Sequence, residues 1–475
     1  MSASSDVALL PATELRDRIA RRALSPVELV EACLDRIARY DGILNAVPTV
    51  SDRAIQEARE VERRLCAGEG AGLLCGLPVG IKDVTPVAGL RTTYGSPLYA
   101  DYVPEEDALV VRRLRAAGAI VLGKTNTPEF AAGGHTWNEV FGPTRNPWDP
   151  ALSAGGSSGG GAAALAAGMI ALAEGTDLGG SLRIPASFCG VVGLRPAPGL
   201  VPTHPTAWVW DDLEVTGPLA RTAEDAALML QAISGPSPVS PLCQPVEGRD
   251  FLGAVRSATW SGKRLAYAPD VAGIGVDPAI QLVCRDAAVE CENNGARVEE
   301  IELDLSFGRE AFLALRGVWM VIHQHARLDR LDRLGVNVRA NVLAGLEVTA
   351  EQLGSAERAR GRIWGMFRDL FQEFDAVLTP CMAISPFPVE QNYPETIAGR
   401  RMESYVEWIA PTFVLSLAGL PVASVPCGVD SAGLPVGLQI VGPPLGEESV
   451  LALAALIEEA LPIGLPRVPS LEDPE

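Results

Sequence analysis

The sequence predicts an α/β fold, with a central sheet covered by helices on both faces. Two observations carry that expectation. Short apolar segments punctuated by Gly and Pro alternate with periodic, helix-like ones along the chain. Hydrophobic residues make up 48% of the 475 residues and charged residues 21%, globular proportions that disfavour disorder and coiled coil.

The elements follow in order. Residues 1–70 read as a helical segment. Ser25, Pro26 and Glu28 form a capping box with proline at the first helical position. It opens the apolar series Val27, Leu29, Val30, Cys33, Leu34 and Ile37. A second helix is expected over 51–64. Residues 76–230 form the expected core: a buried strand at 77–83, a helix at 108–117, a strand at 119–122, loops over 125–160 and a small-residue helix at 161–173. Residues 235–310 read as an insertion-like region, with a strand at 264–267 and a helix at 278–294. Residues 311–475 complete the sheet, mainly helical to 375 and then with strands at 376–380, 423–426 and 436–441. The Pro/Ser-rich stretch 234–245 resembles a linker. Strands resume after it, so a surface excursion within a single domain over 1–475 is the better reading.

The charge balance narrows the function. Basic residues number 39 against 59 acidic ones, a net −20. That disfavours a general nucleic-acid binder, which needs a basic face, and docking on anionic membranes. The first six residues carry no signal-peptide pattern, and no long apolar run is free of charge and proline. Nine cysteines without CxxC spacing argue against a disulfide framework or zinc site. A cytoplasmic protein that works on a small molecule as monomer or homodimer, with no metal and no cofactor, is expected.

Only three lysines are present, Lys82, Lys124 and Lys263, so the other 36 of the 39 basic residues are arginines. Lysine can lose its proton in a protein and arginine cannot. Lys82 falls in the apolar strand Val79-Gly80-Ile81-Lys82, where burial would lower its pKa. Lys124 reads as structural and Lys263 as a surface residue.

The most informative segment is Ala154-Gly155-Gly156-Ser157-Ser158-Gly159-Gly160-Gly161, followed by Gly175-Thr176-Asp177-Leu178-Gly179-Gly180-Ser181-Leu182-Arg183. A flexible linker fits poorly beside an apolar helix, and no lysine completes a phosphate loop. Gly155–Gly159 matches the G-x-S-x-G elbow, which would make Ser157 the nucleophile of an α/β-hydrolase esterase. That motif follows a strand, whereas a turn precedes it here. A scheme with serines and a lysine needs a hydroxyl nucleophile, a proton path and a base that is neutral at working pH. The turn at Leu178-Gly179-Gly180-Ser181 offers successive backbone N–H groups to a developing oxyanion.

These blocks, with Gly80-Ile81-Lys82-Asp83, Gly123-Lys124-Thr125-Asn126, Gly217-Pro218-Leu219-Ala220-Arg221 and Gly419-Leu420-Pro421, resemble the amidase signature family of serine hydrolases from about residue 10 to 460. The resemblance implies an α/β/α sandwich with a large mixed central sheet. It implies Ser181 as nucleophile, Ser157 as proton bridge after a cis peptide bond, and Lys82 as base. Leu178, Gly179, Gly180 and Ser181 would supply the oxyanion hole. Asp177 and Arg183 would support the turn, and Ser158 would orient Lys82. Ala131, Ala132, Gly133 and Gly134 would line the substrate pocket and leave room for a bulky group. Arg195-Pro196-Ala197 replaces a common Lys-Pro-Thr. The implied function is hydrolysis of linear amides, with aryl amides, anilides and carbamates as candidates. The alternatives are the glutaminase component of a tRNA-dependent amidotransferase, the Ser157 esterase with a histidine base at His204, His323 or His325, and a non-catalytic scaffold. Trp137, Trp208 and Trp210 are candidates for an apolar pocket wall.

Overall fold

The computed structural model describes residues 7–70 and 72–469; the Met1–Asp6 segment, where a signal peptide would begin, lies outside them. Eleven strands form one mixed sheet. In chain order they are β1 (Thr49–Val50), β2 (Pro78–Lys82), β3 (Ile120–Thr125), β4 (Leu172–Asp177), β5 (Val192–Arg195), β6 (Val215–Ala220), β7 (Arg264–Tyr267), β8 (Arg297–Glu300), β9 (Ala376–Pro380), β10 (Val422–Val429) and β11 (Pro435–Val441). Their spatial order is β1-β3-β2-β4-β6-β5-β10-β11-β9-β7-β8. The insertion-like segment therefore supplies β7 and β8 at one edge.

Mixed polarity brings strand ends together. β2 runs parallel to both β3 and β4, whereas β6 is antiparallel to β4, with Asp177 opposite Val215. The last residues of β2 and β4 thus meet the first of β6 at one end of the sheet. β5 is antiparallel to β6 and delivers Arg195 to the same end. Because β2, β4 and β6 are buried along their whole lengths, polar residues at these ends enter a dry interior.

Five helices matter for the site: α1 (Pro26–Leu44), α2 (Gly159–Ala166), α3 (Arg183–Cys189), α4 (Gly308–Gln324) and α5 (Val336–Leu346). The expected capping box opens α1: the Ser25 hydroxyl accepts from Val27 and Glu28 N–H, and the Glu28 carboxylate accepts from Ser25 N–H. α2 corrects the helix expected over 161–173. It begins two residues earlier and ends at Ala166, and Leu172 and Ala173 already belong to β4. Gly168, at φ +69°, turns the chain in the left-handed region that glycine tolerates. The run of Ala, Leu and Ile around it has no periodicity to mark that stop.

α2 has no amphipathic stripe because every residue in it is buried. Its glycines allow close approach: a Cβ on Gly160 would lie 2.2 Å from Asn126 N and 2.6 Å from Ala46 O. Backbone cannot yield as a side chain can, so Gly160→Ala is expected to destabilise the protein by about 1–3 kcal/mol. Urea denaturation of the variant checks this; an unchanged midpoint would contradict the close packing.

Candidate active site

Lys82 is the last residue of β2 and is fully buried. Its Nζ lies 2.6 Å from Ser157 Oγ, 3.0 Å from Thr176 Oγ1 and 3.4 Å from the Thr176 carbonyl. Burial pushes its pKa down to about 8, against the upward pull of Glu214, Glu174 and Asp177. Lys124 is equally buried on β3 and is pushed down to about 8 by the same cause. It donates to the Thr85 carbonyl and to Thr92 Oγ1 and makes no contact with either serine of the motif.

Ser157 sits in the turn before α2, after a cis bond from Gly156. Its hydroxyl is bonded to Lys82 and to no histidine, which removes the geometric basis of the esterase reading. Ser158 makes no hydrogen bond to Lys82. Its Oγ reaches the Thr176 carbonyl at 3.4 Å, and its N–H donates to the Ser181 carbonyl at 3.1 Å. Orientation of Lys82 falls to Thr176, whose side chain Gly175-Thr176-Asp177 places at the end of β4. Ser181 follows that strand. Its hydroxyl has no hydrogen-bond partner among the described residues, and it shares a narrow recess with Ser157, Thr176, Ala131 and Glu214.

The turn from Leu178 to Ser181 is held by Asp177. Its carboxylate accepts from Gly180 N–H at 2.7 Å and Leu182 N–H at 3.1 Å, and from Arg183 Nε and Nη2 at 3.0 Å each. Arg195 approaches the same carboxylate at 3.3 Å and also binds the Asp177 carbonyl. Burial alone would raise the Asp177 pKa; Arg183 and Arg195 outweigh it and hold the carboxyl well below the usual range. This corrects one sequence expectation. The Gly180 N–H is taken by Asp177, whereas the N–H groups of Leu178, Gly179 and Ser181 have no hydrogen-bond partner among the described residues. Gly180, at φ +125°, must be glycine: a Cβ there would sit 2.2 Å from Thr412 Oγ1.

A cavity of about 290 Å³ joins the recess through Phe130, Ala131, Thr176, Glu214 and Trp319. Of the four small residues expected to line it, only Ala131 does. Ala132 packs into an apolar cluster with Trp319 and Met320, and Gly134 backs onto Trp408, where a Cβ would lie 2.7 Å from the indole. Gly133 likewise faces Pro128 and His135. Trp208 borders an adjoining recess, whereas Trp137 and Trp210 are exposed and outside the cleft. The tryptophan in the wall is Trp319, in a helical stretch where only the fold reveals its aim. His323 stacks on it at 3.8 Å, with its pKa pushed down to about 4 by burial and Arg327. Glu214 is a second residue that sequence reasoning missed. It stands beside Thr176, with its pKa pushed up to about 7 by burial, Asp211 adding to the rise. Glu174 holds the Lys82 N–H at 3.1 Å and the Thr85 hydroxyl at 3.0 Å.

Comparison with known proteins agrees with this architecture. The amidase family model matches residues 28–451. An acylamidase of Rhodococcus erythropolis is 36% identical over 89% of this chain and 90% of its own. The A subunit of glutamyl-tRNA(Gln) amidotransferase from Thermosynechococcus vestitus is 35% identical over 94% of this chain and 97% of its own. The crystal structure of a bacterial aryl acylamidase of the amidase signature family superposes with a TM-score of 0.89, at 29% identity over 96% of this chain and 97% of that one. The chain belongs to the amidase signature family. It is a serine amidohydrolase, an enzyme that acts on amide carbon–nitrogen bonds.

The Asp177 cluster makes a stability prediction. Asp177→Asn leaves two buried guanidinium groups without their counter-charge, at a cost of about 3–5 kcal/mol, readable by urea denaturation. The folded pKa of Asp177 lies below its ordinary 3.8, so its contribution is present above that value and is lost as pH falls toward the folded one. Acid titration of stability should therefore be shallower in the variant than in the parent below pH ~4.

Proposed function

We propose that the enzyme hydrolyses linear aryl amides, anilides or aryl carbamates through an acyl-enzyme on Ser181, with Ser157 as proton bridge and Lys82 as base. One observation carries the reading: the buried 2.6 Å contact between Lys82 Nζ and Ser157 Oγ, beside a Ser181 hydroxyl with no hydrogen-bond partner among the described residues. In the acylation step Ser181 Oγ attacks the carbonyl carbon. Its proton passes to Ser157 Oγ, and the Ser157 proton passes to Lys82 Nζ. The carbonyl oxygen gains negative charge and is met by the N–H groups of Leu178, Gly179 and Ser181. The same relay returns a proton to the leaving nitrogen, the C–N bond breaks, and the amine departs. Water then attacks the ester by the reverse path and releases the acid.

Arginine could not serve at position 82, because the base must be neutral at rest. The aromatic wall of Tyr94, Phe130 and Trp319, together with Ala131, supports an aryl group in the adjoining cavity. The acylamidase and aryl acylamidase relatives support it also. The relationship to the glutamyl-tRNA(Gln) amidotransferase component favours a second reading, a glutaminase that works within a complex. Assays of the isolated chain on acetanilide and on glutamine separate the two.

Three outcomes test the proposal. Ser181→Ala should lower kcat by about 10⁴-fold or more and abolish labelling by a fluorophosphonate probe. Turnover that survives in this variant would refute the nucleophile assignment. Because Lys82 must be unprotonated, kcat/KM should rise with pH and level off above about 8. Lys82→Ala should lose that limb, with the largest fold loss in kcat/KM on the plateau above pH ~8, where the wild-type amine is neutral.

A further inference from the structure

The proposed chemistry leaves a buried cation beside the two serines unused. Arg316, Trp319 and Met320 occupy one face of α4, at the i, i+3, i+4 spacing, and all three line the recess that holds Ser157 and Ser181. Arg316 is only 5% exposed. Its guanidinium donates to Asn341 Oδ1 on α5 and, at 3.1 Å, to the Tyr405 hydroxyl, and it stands over the Tyr405 ring. Both partners are neutral. Among the described residues no carboxylate lies within ion-pair distance of it, whereas the buried Arg183 and Arg195 share Asp177.

Arg221 is a useful contrast. It too is buried without an ion pair, but it donates to the main-chain carbonyls of Leu165, Ile170 and Leu10, far from the serines. Arg316 has no such set, and its position is beside the reacting atoms. Burying a guanidinium without a counter-charge is costly, and the cost falls when a carboxylate arrives to meet its planar fork. The carboxylates nearest the cleft are committed elsewhere. Asp211 accepts from Trp319 Nε1 at 2.6 Å, and Glu214 lines the recess beside Thr176 without pairing to Arg316.

We propose that Arg316 is a substrate-binding residue that receives a carboxylate carried by the amide, so that the enzyme prefers carboxylate-bearing amides to their neutral analogues. The inference rests on Ser181 as nucleophile and deepens that reading. The carboxylate could enter on the acyl side or on the amine side of the scissile bond, and both arms are tested. One pair is N-phenylsuccinamate against its neutral methyl-ketone isostere; the other is para-acetamidobenzoate against para-acetylacetanilide.

In the wild type, one pair should show a carboxylate preference of about tenfold to a hundredfold in kcat/KM. Arg316→Met should bring that ratio near one, and Arg316→Lys should retain an intermediate value. Ratios near one for both pairs in the wild type overturn the proposal, as does a preference that survives in Arg316→Met. A second measurement needs no variant: benzoate should protect Ser181 from a fluorophosphonate probe at about tenfold lower concentration than benzyl alcohol, and equal protection counts against it. Failure of the underlying reading is distinct, because it would appear as acetanilide hydrolysis persisting in Ser181→Ala.

Discussion

The site depends on one fully buried carboxylate held ionised by its neighbours. Asp177 ends a strand in the middle of the sheet and faces two guanidinium groups, one from α3 and one from β5. Its remaining lone pairs take the N–H groups of Gly180 and Leu182, so the turn that presents Ser181 is shaped by the same ion that joins the two strands. Arg183 carries the network outward to Gln439 on β11, to Ser416 and to the Thr412 carbonyl. Such a cluster gains little net stability over an apolar core of the same volume, because each ion loses its hydration. What it supplies is direction: the turn that carries Ser181 is fixed in place, which in the proposed mechanism presets its N–H groups for the charge that develops.

A second consequence of dryness falls on Lys82. The same desolvation that penalises any buried charge favours its neutral amine. The nearby carboxylates oppose this, and Glu214 and Glu174 are themselves pushed toward their neutral forms by burial. Lys82 and Lys124 share burial and a similar shift, yet only Lys82 meets a serine. A depressed pKa therefore does not make a base; the partner does.

Much of this is legible in the chain. The capping box at Ser25 and the strands at 264–267 and 376–380 form where local pattern places them. The two Gly/Ser blocks and Lys82 stand out because glycines there admit close backbone approach and because lysine is scarce. The end of α2 is not legible, since Ala, Leu and Ile suit a buried helix and a buried strand alike. The pocket is smaller than its sequence suggests: Ala132, Gly133 and Gly134 are small because neighbours press on them, and a small residue against a packed wall has the same sequence signature as one beside an open cavity. Arg195, in sequence a mild departure from the family pattern, is the second cation on Asp177.

The sequence by itself carried the class of enzyme, because the order and spacing of its Gly/Ser and Lys-bearing blocks resemble the amidase signature family over nearly the whole chain. Tertiary structure decided which groups meet. Lys82, Ser157 and Ser181 lie on three separate segments, and strand register alone brings Thr176 and Glu214 to the same end of the sheet. It also decided which tryptophan walls the cleft, and that Arg316 lines the serine recess with neutral hydrogen-bond partners. These are matters of long-range packing and excluded water, and neither leaves a periodic trace along a single chain.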